Sequence, residues 1–304
     1  MINNSTSAFF ERSTMGLSGL RKQAETIQNQ LATGQKMARS SDDPVGASKL
    51  RLLARADSLS NIDTVNANRA STDLTLTDTA LGSFADYIAR VRELAMQAGN
   101  DTLTGTQRVG IATELEQIHG NLVALANTRD SAGHSLFGGE TAGNAYTLDG
   151  SGNAVYAGTA SAGELPLGDG QTVSRGLTGP EFLNFSVNGN PTDLMAVVKQ
   201  LADAVGGAVA DPAAAARDSL DALSTGLDAV TTSQTIVGAR LAWIDLTTER
   251  RIDLSELRTN EQIEVGATDE ASAIARLQEV MLALEASQAS FAKLAKLSLF
   301  DVVG

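Results

Sequence analysis

Two adjacent carboxylates, Asp42 and Asp43, sit in the stretch ATGQKMARSSDDPVGASKL (residues 32–50), and neighbouring acids of this kind could hold a cation. Their setting favours a simpler use. Ser40, Ser41, Asp42 and Asp43 can each cap a following helix, and Pro44 suits that helix's first turn, where no amide donor is needed. Pro44 also pushes Asp43 out of helical geometry, so the preceding helix must end before it. The spacing therefore predicts one helix stopping and another starting, with the acids as caps and not metal ligands.

Other reactive residues are as isolated. His119 and His134 belong to no HExxH or Cys/His pattern, which leaves them packing or surface roles. The glycine-rich LFGGET (136–141) lacks the lysine of a phosphate loop and follows a helical stretch, so it reads as a turn. No serine occupies a G-x-S-x-G elbow. Trp243 falls among apolar seam residues and is expected in the core. This reading calls for no catalytic residue, metal or cofactor; the chain is expected not to be an enzyme.

Composition narrows the class further. A net charge of -13 over 304 residues argues against a general grip on nucleic acid, whose phosphates need a basic face. Aromatics are 4% of residues, so Leu, Ile, Val and Ala must fill the interior, which suits narrow helical seams. There is no cysteine to form disulfides or thiolate metal sites. No apolar run approaches the roughly 20 residues of a membrane span, so no membrane insertion is expected. The start, MINNSTSAFFERSTMG, lacks the basic region, apolar core and cleavage site of a secretory signal; any export is expected to proceed without cleavage.

Apolar residues recur at alternating steps of three and four. The first stretch, counting small residues in register, carries Phe10, Ser13, Leu17, Leu20, Ala24, Ile27, Leu31 and Gly34; the second runs from Ala67 to Ala98; a third holds Ile111, Leu115, Ile118, Leu122 and Leu125. Such spacing marks seams between nearly parallel helices. From about 135 to 191 glycine becomes frequent and the helical period vanishes. Turn pairs at Asp149-Gly150, Gly152-Asn153, Asp169-Gly170 and Asn188-Gly189 separate the β-prone runs AVYAG, QTVS and FLNFSV. This segment reads as a separable outward insertion on a self-sufficient helical bundle.

Helix resumes near Pro191, and Asp211-Pro212 marks another capped start. In VGATDEAS (265–272) Gly266 can stop a helix, Thr268 can cap the next, and Asp269 and Glu270 favour its first turn. Ile274, Leu277, Met281, Leu284 and Phe291 then continue a seam. The two breaks lie about forty residues from either end. The expected fold is mainly α: an elongated, coiled-coil-like helical bundle formed by both chain ends, with a small inserted β-rich domain. Its expected parts are a terminal layer (1–40 and 267–304), a surrounding helical layer (41–134 and 192–266) and the β-rich insertion (135–191).

Several motifs together resemble the flagellin family, and within it the hook-associated junction proteins. They are LATGQKMARSSDDPVGASKL, NANRASTDLTLTDTALGSF, ARVRELAMQAGNDT, QRVGIATELEQI and ANTRDSAGHSLFGGE near one end, and LQEVMLALEASQASFAKLAKLSLFD near the other. The resemblance covers about 1–140 and 220–304. Proline after the double Asp, the SLFGGE exit and the LSLFDVVG ending favour the junction proteins over filament flagellin, the nearer alternative; a non-flagellar coiled-coil adhesin or enzyme is the more distant one.

The resemblance implies an extracellular structural subunit, exported through the flagellar type III apparatus and placed between hook and filament. Its implied partners are other copies of itself, a neighbouring hook-associated protein, flagellin and an export chaperone. In that setting Phe10, Leu17, Leu20, Ala24, Ile27, Leu31, Ile274, Leu277, Met281, Leu284 and Phe291 would pack subunits together. Ser41, Asp42, Asp43, Pro44, Gly266, Thr268 and Asp269 would form the joint between layers.

Overall fold

The computed structural model describes residues 3–303, with side chains described for residues 8–293. Helix takes up 71% of the chain, so the mainly α class holds. In chain order the elements are α1 (Asn3–Thr33), α2 (Pro44–Ala98), α3 (Gly105–Ala126), β1 (Tyr146–Leu148), β2 (Ala154–Tyr156), β3 (Glu164–Gly168), β4 (Gln171–Ser174), α4 (Gly179–Leu183), β5 (Asn184–Val187), β6 (Asn190–Asp193), α5 (Leu194–Asp203), α6 (Pro212–Gly266) and α7 (Glu270–Val303). The chain forms two compact units, one of residues 1–58 with 253–304, the other of residues 59–252.

In the first unit α1 packs along α7. On α1 the shielded positions are Phe10, Ser13, Leu17, Leu20, Ala24, Ile27, Gln30 and Leu31; the spacing singles out all of these but Gln30, while Gly34, which it also singles out, is exposed just past the helix end. On the described part of α7 they are Ala273, Leu277, Val280, Ala283, Leu284, Ser287 and Phe291. Phe10 and Phe291 meet edge to face, with ring centroids 5.4 Å apart. The first turns of α2 and the last turns of α6 are tied by Lys49–Glu261 (2.6 Å) and by Asp57, whose two oxygens accept from Arg258 Nε and Gln262 Nε2, each at 2.6 Å.

The second unit holds the main core. Leu74, Leu81, Phe84, Ile88 and Val91 of α2 are buried in one cluster with Leu115 and Leu122 of α3, Val198 of α5 and Leu223, Val230 and Val237 of α6. The segment between α3 and α5 contributes heavily to it. Phe84, Phe137 and Phe182 form a closed aromatic triangle with centroid distances of 6.1, 5.2 and 5.0 Å. Leu167, Val173, Leu177 and Leu183 are buried in the same cluster. The expectation of a separable insertion on a self-sufficient bundle therefore gives way. The aromatic content is low, and three of the eight phenylalanines are spent joining this segment to α2.

The β-strands form three separate antiparallel hairpins, β1–β2, β3–β4 and β5–β6. Two turns are those expected. Asp169 and Gly170 (φ 53° and 75°) close β3–β4, and Asn188 and Gly189 (φ 50° and 82°) close β5–β6. Two successive left-handed residues are what a two-residue turn matching the strand twist requires. The run FLNFSV splits: Phe182 and Leu183 end the short helix α4, and only NFSV is strand. Pro191 lies in β6, so helix resumes later than expected, at Leu194, where Asp193 Oδ1 accepts from the N–H groups of Met195 (2.8 Å) and Ala196 (3.1 Å).

Candidate assembly surface

The joint residues come first, because they set where the terminal helices begin and end. Asp43 caps α2: its Oδ1 accepts from Gly46 N at 2.9 Å, and Pro44 takes the first helical position. Asp42 Oδ2 accepts from Arg39 N at 2.8 Å and closes the preceding turn. Both carboxylates are thus occupied by backbone donors, and Ser41 is exposed beside them.

At the second break Asp269, and not Thr268, caps α7. Asp269 Oδ1 accepts from Ala271 N (3.1 Å) and Ser272 N (3.4 Å), and Ser272 Oγ donates to Oδ2 at 2.6 Å. The hydrogen bond from Ser272, aided by those backbone donors, holds the Asp269 carboxyl below its ordinary range. Thr268 has another task. Its N–H donates to Gly34 O at 2.9 Å while Lys36 N donates to Gly266 O at 2.8 Å, so Gln35 and Ala267 form an antiparallel bridge. The two breaks, some 230 residues apart in sequence, are one paired joint. Gly34 makes the chain reversal at the end of α1 with φ 69°, which glycine adopts without strain. A Cβ on Gly266 would lie 3.2 Å from Leu50 Cδ1, so that position also rewards a missing side chain.

The expected packing residues divide between two faces. Phe10, Leu17, Leu20, Ala24, Ile27, Leu31, Leu277, Leu284 and Phe291 are shielded to varying degrees within the α1–α7 pair. Ile274 and Met281 are 48% and 42% exposed and turn away from α1. Beside the seam, two depressions of about 660 and 630 Å³ share Gly19, Leu20 and Gln23 and form one groove along the pair.

The residues first considered for chemistry are placed as follows. His119 is buried, and burial pushes its imidazole below the ordinary range. His134 is exposed, with Nδ1 3.4 Å from Asp130 Oδ2. Trp243 is 41% exposed and does not join the core, because α6 turns Ile244 inward instead. Sequence reasoning missed a charged knot. Arg175, following β4, reaches Asp73 of α2 at 3.2 Å and Asp130 at 3.0 Å, and both carboxylates are buried. Burial works against ionisation of Asp130, but the N–H groups of His134 and Ala132 together with the adjacent His134 imidazole outweigh it, and its carboxyl stays below the ordinary range. Arg240 Nη1 donates to Gly176 O (2.8 Å), Asn66 Nδ2 to Pro166 O (3.1 Å), and Arg251 Nη2 to Leu167 O. Together these pin the β3–β4 region to α2 and α6. Among the described residues no group of three or more His, Cys, Asp or Glu could hold a metal ion, and no helix is long and apolar enough to cross a membrane.

Residues 2–142 match the bacterial flagellin N-terminal helical region. The chain is also 24% identical to flagellar hook-associated protein 3 of Escherichia coli (strain K12) over 98% of each chain. The chain thus resembles the flagellin family over its N-terminal half and a hook-associated protein 3 over nearly its whole length. Similarity to flagellin FlaB1 of Treponema pallidum is 28% identity, confined to 46% of this chain and 48% of that one. A solved structure of hook-associated protein 3 from Legionella pneumophila superposes with a TM-score of 0.61 at 16% identity, over 76% of this chain and 99% of that one.

Proposed function

We propose that this chain is a structural subunit of the bacterial flagellum that joins the hook to the filament, with no catalytic turnover. The observation that carries this reading is the end-to-end similarity to a hook-associated protein 3, set against flagellar filament proteins that match over 46% to 67% of this chain. The α1–α7 pair fits the role physically. It leaves apolar positions such as Leu282, 69% exposed, that gain most when neighbouring subunits cover them. The proposed layers are residues 1–40 with 267–304, then 41–134 with 192–266, with 135–191 outermost. The paired joint of Ser41, Asp42, Asp43, Pro44, Gly266, Thr268 and Asp269 connects the first two. The proposed partners are other copies of the chain, an adjoining hook-associated protein, flagellin, and a chaperone before export. Export without signal cleavage would place the assembled protein outside the cell. Immunogold labelling of flagella tests the reading. Label confined to the hook–filament boundary is expected; label along the whole filament would assign the chain to filament flagellin instead.

A further inference from the structure

A cavity of about 270 Å³ lies beside the Arg175 knot, with all of its walls in the 59–252 unit. Asp73 of α2 forms one wall, residues between 130 and 141 a second, residues 162–165 a third, and Arg175 with Gly176 the fourth. Its polar groups are not all used by the fold. Asp73 is 5% exposed and its Oδ2 accepts from Arg175 Nε, but its Oδ1 accepts nothing from the described residues. That oxygen is not sealed in by its neighbours either, so it opens on the cavity. Ser135, also 5% exposed, lines the same space, and its Oγ has no hydrogen-bond partner. Buried polar groups are nearly always paired. Two open ones on one cavity call for a partner that the chain itself does not supply.

The surroundings set the charge of that partner. Asp130, Glu140 and Glu164 line the cavity with Asp73, against one permanent cation, Arg175, which Asp73 and Asp130 already engage. His134 at the rim adds positive charge only when protonated. Glu140 is folded back over the 162–165 wall, since a Cβ on Gly163 would lie 2.9 Å from its Oε1. Carboxylates with spare acceptor oxygens favour a cation that donates several N–H groups. A bare metal ion does not fit, because among the described residues no group of three or more His, Cys, Asp or Glu is placed to hold one. The volume equals that of about nine water molecules and falls just below drug-sized pockets, which leaves room for one side-chain-sized ligand. Leu136 and Leu165 offer apolar wall to an alkyl stem.

We propose that this cavity binds an alkylguanidinium or alkylammonium group, whose N–H donors meet Asp73 Oδ1, Glu140 and Glu164 while its stem lies on Leu136 and Leu165. Free amines carry such a group, and so do the arginine and lysine side chains of proteins. The two sources differ at the cavity mouth, where a protein side chain brings its backbone with it.

The test is leucine-methyl NMR of the purified full chain, titrated with agmatine, which carries a guanidinium and an ammonium on one alkyl stem. Saturable shifts are expected at Leu136 and Leu165, with Leu115 and Leu122 of the helical core unmoved. N-acetyl-arginine amide is titrated in parallel. Binding of this blocked arginine assigns the site to a protein side chain, and binding of agmatine alone assigns it to a free amine. Saturation by neither would overturn the proposal. Tetramethylammonium has the charge but no N–H donor, so it is expected to bind about tenfold more weakly, the worth of one charged hydrogen bond. Equal binding would reduce the site to a diffuse acidic field and overturn it too. Asp73→Asn should weaken agmatine by a similar factor. Because that substitution touches the Arg175 knot, Glu140→Gln combined with Glu164→Gln, both at exposed positions, supplies a second arm. Unchanged affinity in either folded variant counts against the site. None of these outcomes bears on the subunit reading, which the immunogold label decides.

Discussion

Single residues show how this chain uses its few ionisable groups. His119 is held neutral by burial, with Nε2 lacking a hydrogen-bond partner, so the unfolded state binds the extra proton as pH falls past the ordinary imidazole value of about 6.5. Stability is therefore present above that pH and lost below it. The melting temperature of the native chain is expected to drop between pH 7 and 5, and His119→Gln should flatten that drop. The depressed carboxyls of Asp130 and Asp269 act in the opposite direction of charge, retaining their contribution until lower pH, so the two windows separate. Arg175 makes a sharper case. Arg175→Met strands Asp73 and Asp130 in the interior, a loss of roughly 3 kcal/mol by the behaviour of broken buried pairs, readable as a lower urea midpoint.

Elements in this protein begin and end by local chemistry, but they are held by distant partners. The three hairpins are each too small to be stable alone. They persist because Phe137, Phe182, Leu183 and Leu177 are buried against α2 and because arginines of α6 bind their carbonyls. Replacing 135–191 with a short Gly/Ser linker would uncover Phe84 and its neighbours. Such a chain is expected to lose cooperative unfolding of the 59–252 unit and to bind a hydrophobic dye. A sharp unfolding transition at the native midpoint would show that the helices close a core by themselves.

For the whole molecule the contrast lies between the two units. The 59–252 unit buries large side chains completely, whereas among the described side chains of α1 and α7 only Ala24 and Ala273 fall below a tenth exposed. A lone helix pair with so little buried surface is marginal in water. Limited proteolysis of the dilute monomer is expected to trim both ends to a stable core of about 40–265; resistance of both ends would show that they are ordered before assembly. In cells, Leu20→Asp or Leu284→Asp would place a charge in the packed seam, a penalty of several kcal/mol on the order of magnitude usual for unpaired buried charge. Strains carrying either substitution should make hooks that fail to keep filaments, seen by electron microscopy and by loss of swimming.

The sequence by itself determined the punctuation and the helical class. Asp43-Pro44 and Asp211-Pro212 start helices, and Asp169-Gly170 and Asn188-Gly189 turn strands, because caps and tight turns depend on contacts within about five residues. Along α1 the period also picked out the shielded face. Tertiary structure decided the rest. Thr268 lies one residue too early to cap: the bridge to Gly34 holds it in the paired joint, and the helix starts at Glu270, so Asp269 takes the cap. Trp243 stays exposed, and Ile274 and Met281 turn from α1, because a seam three or four residues wide fits more than one neighbour and the period cannot say which. The Arg175 knot left no local trace, since its partners lie 102 and 45 residues away and only the folded chain brings them together.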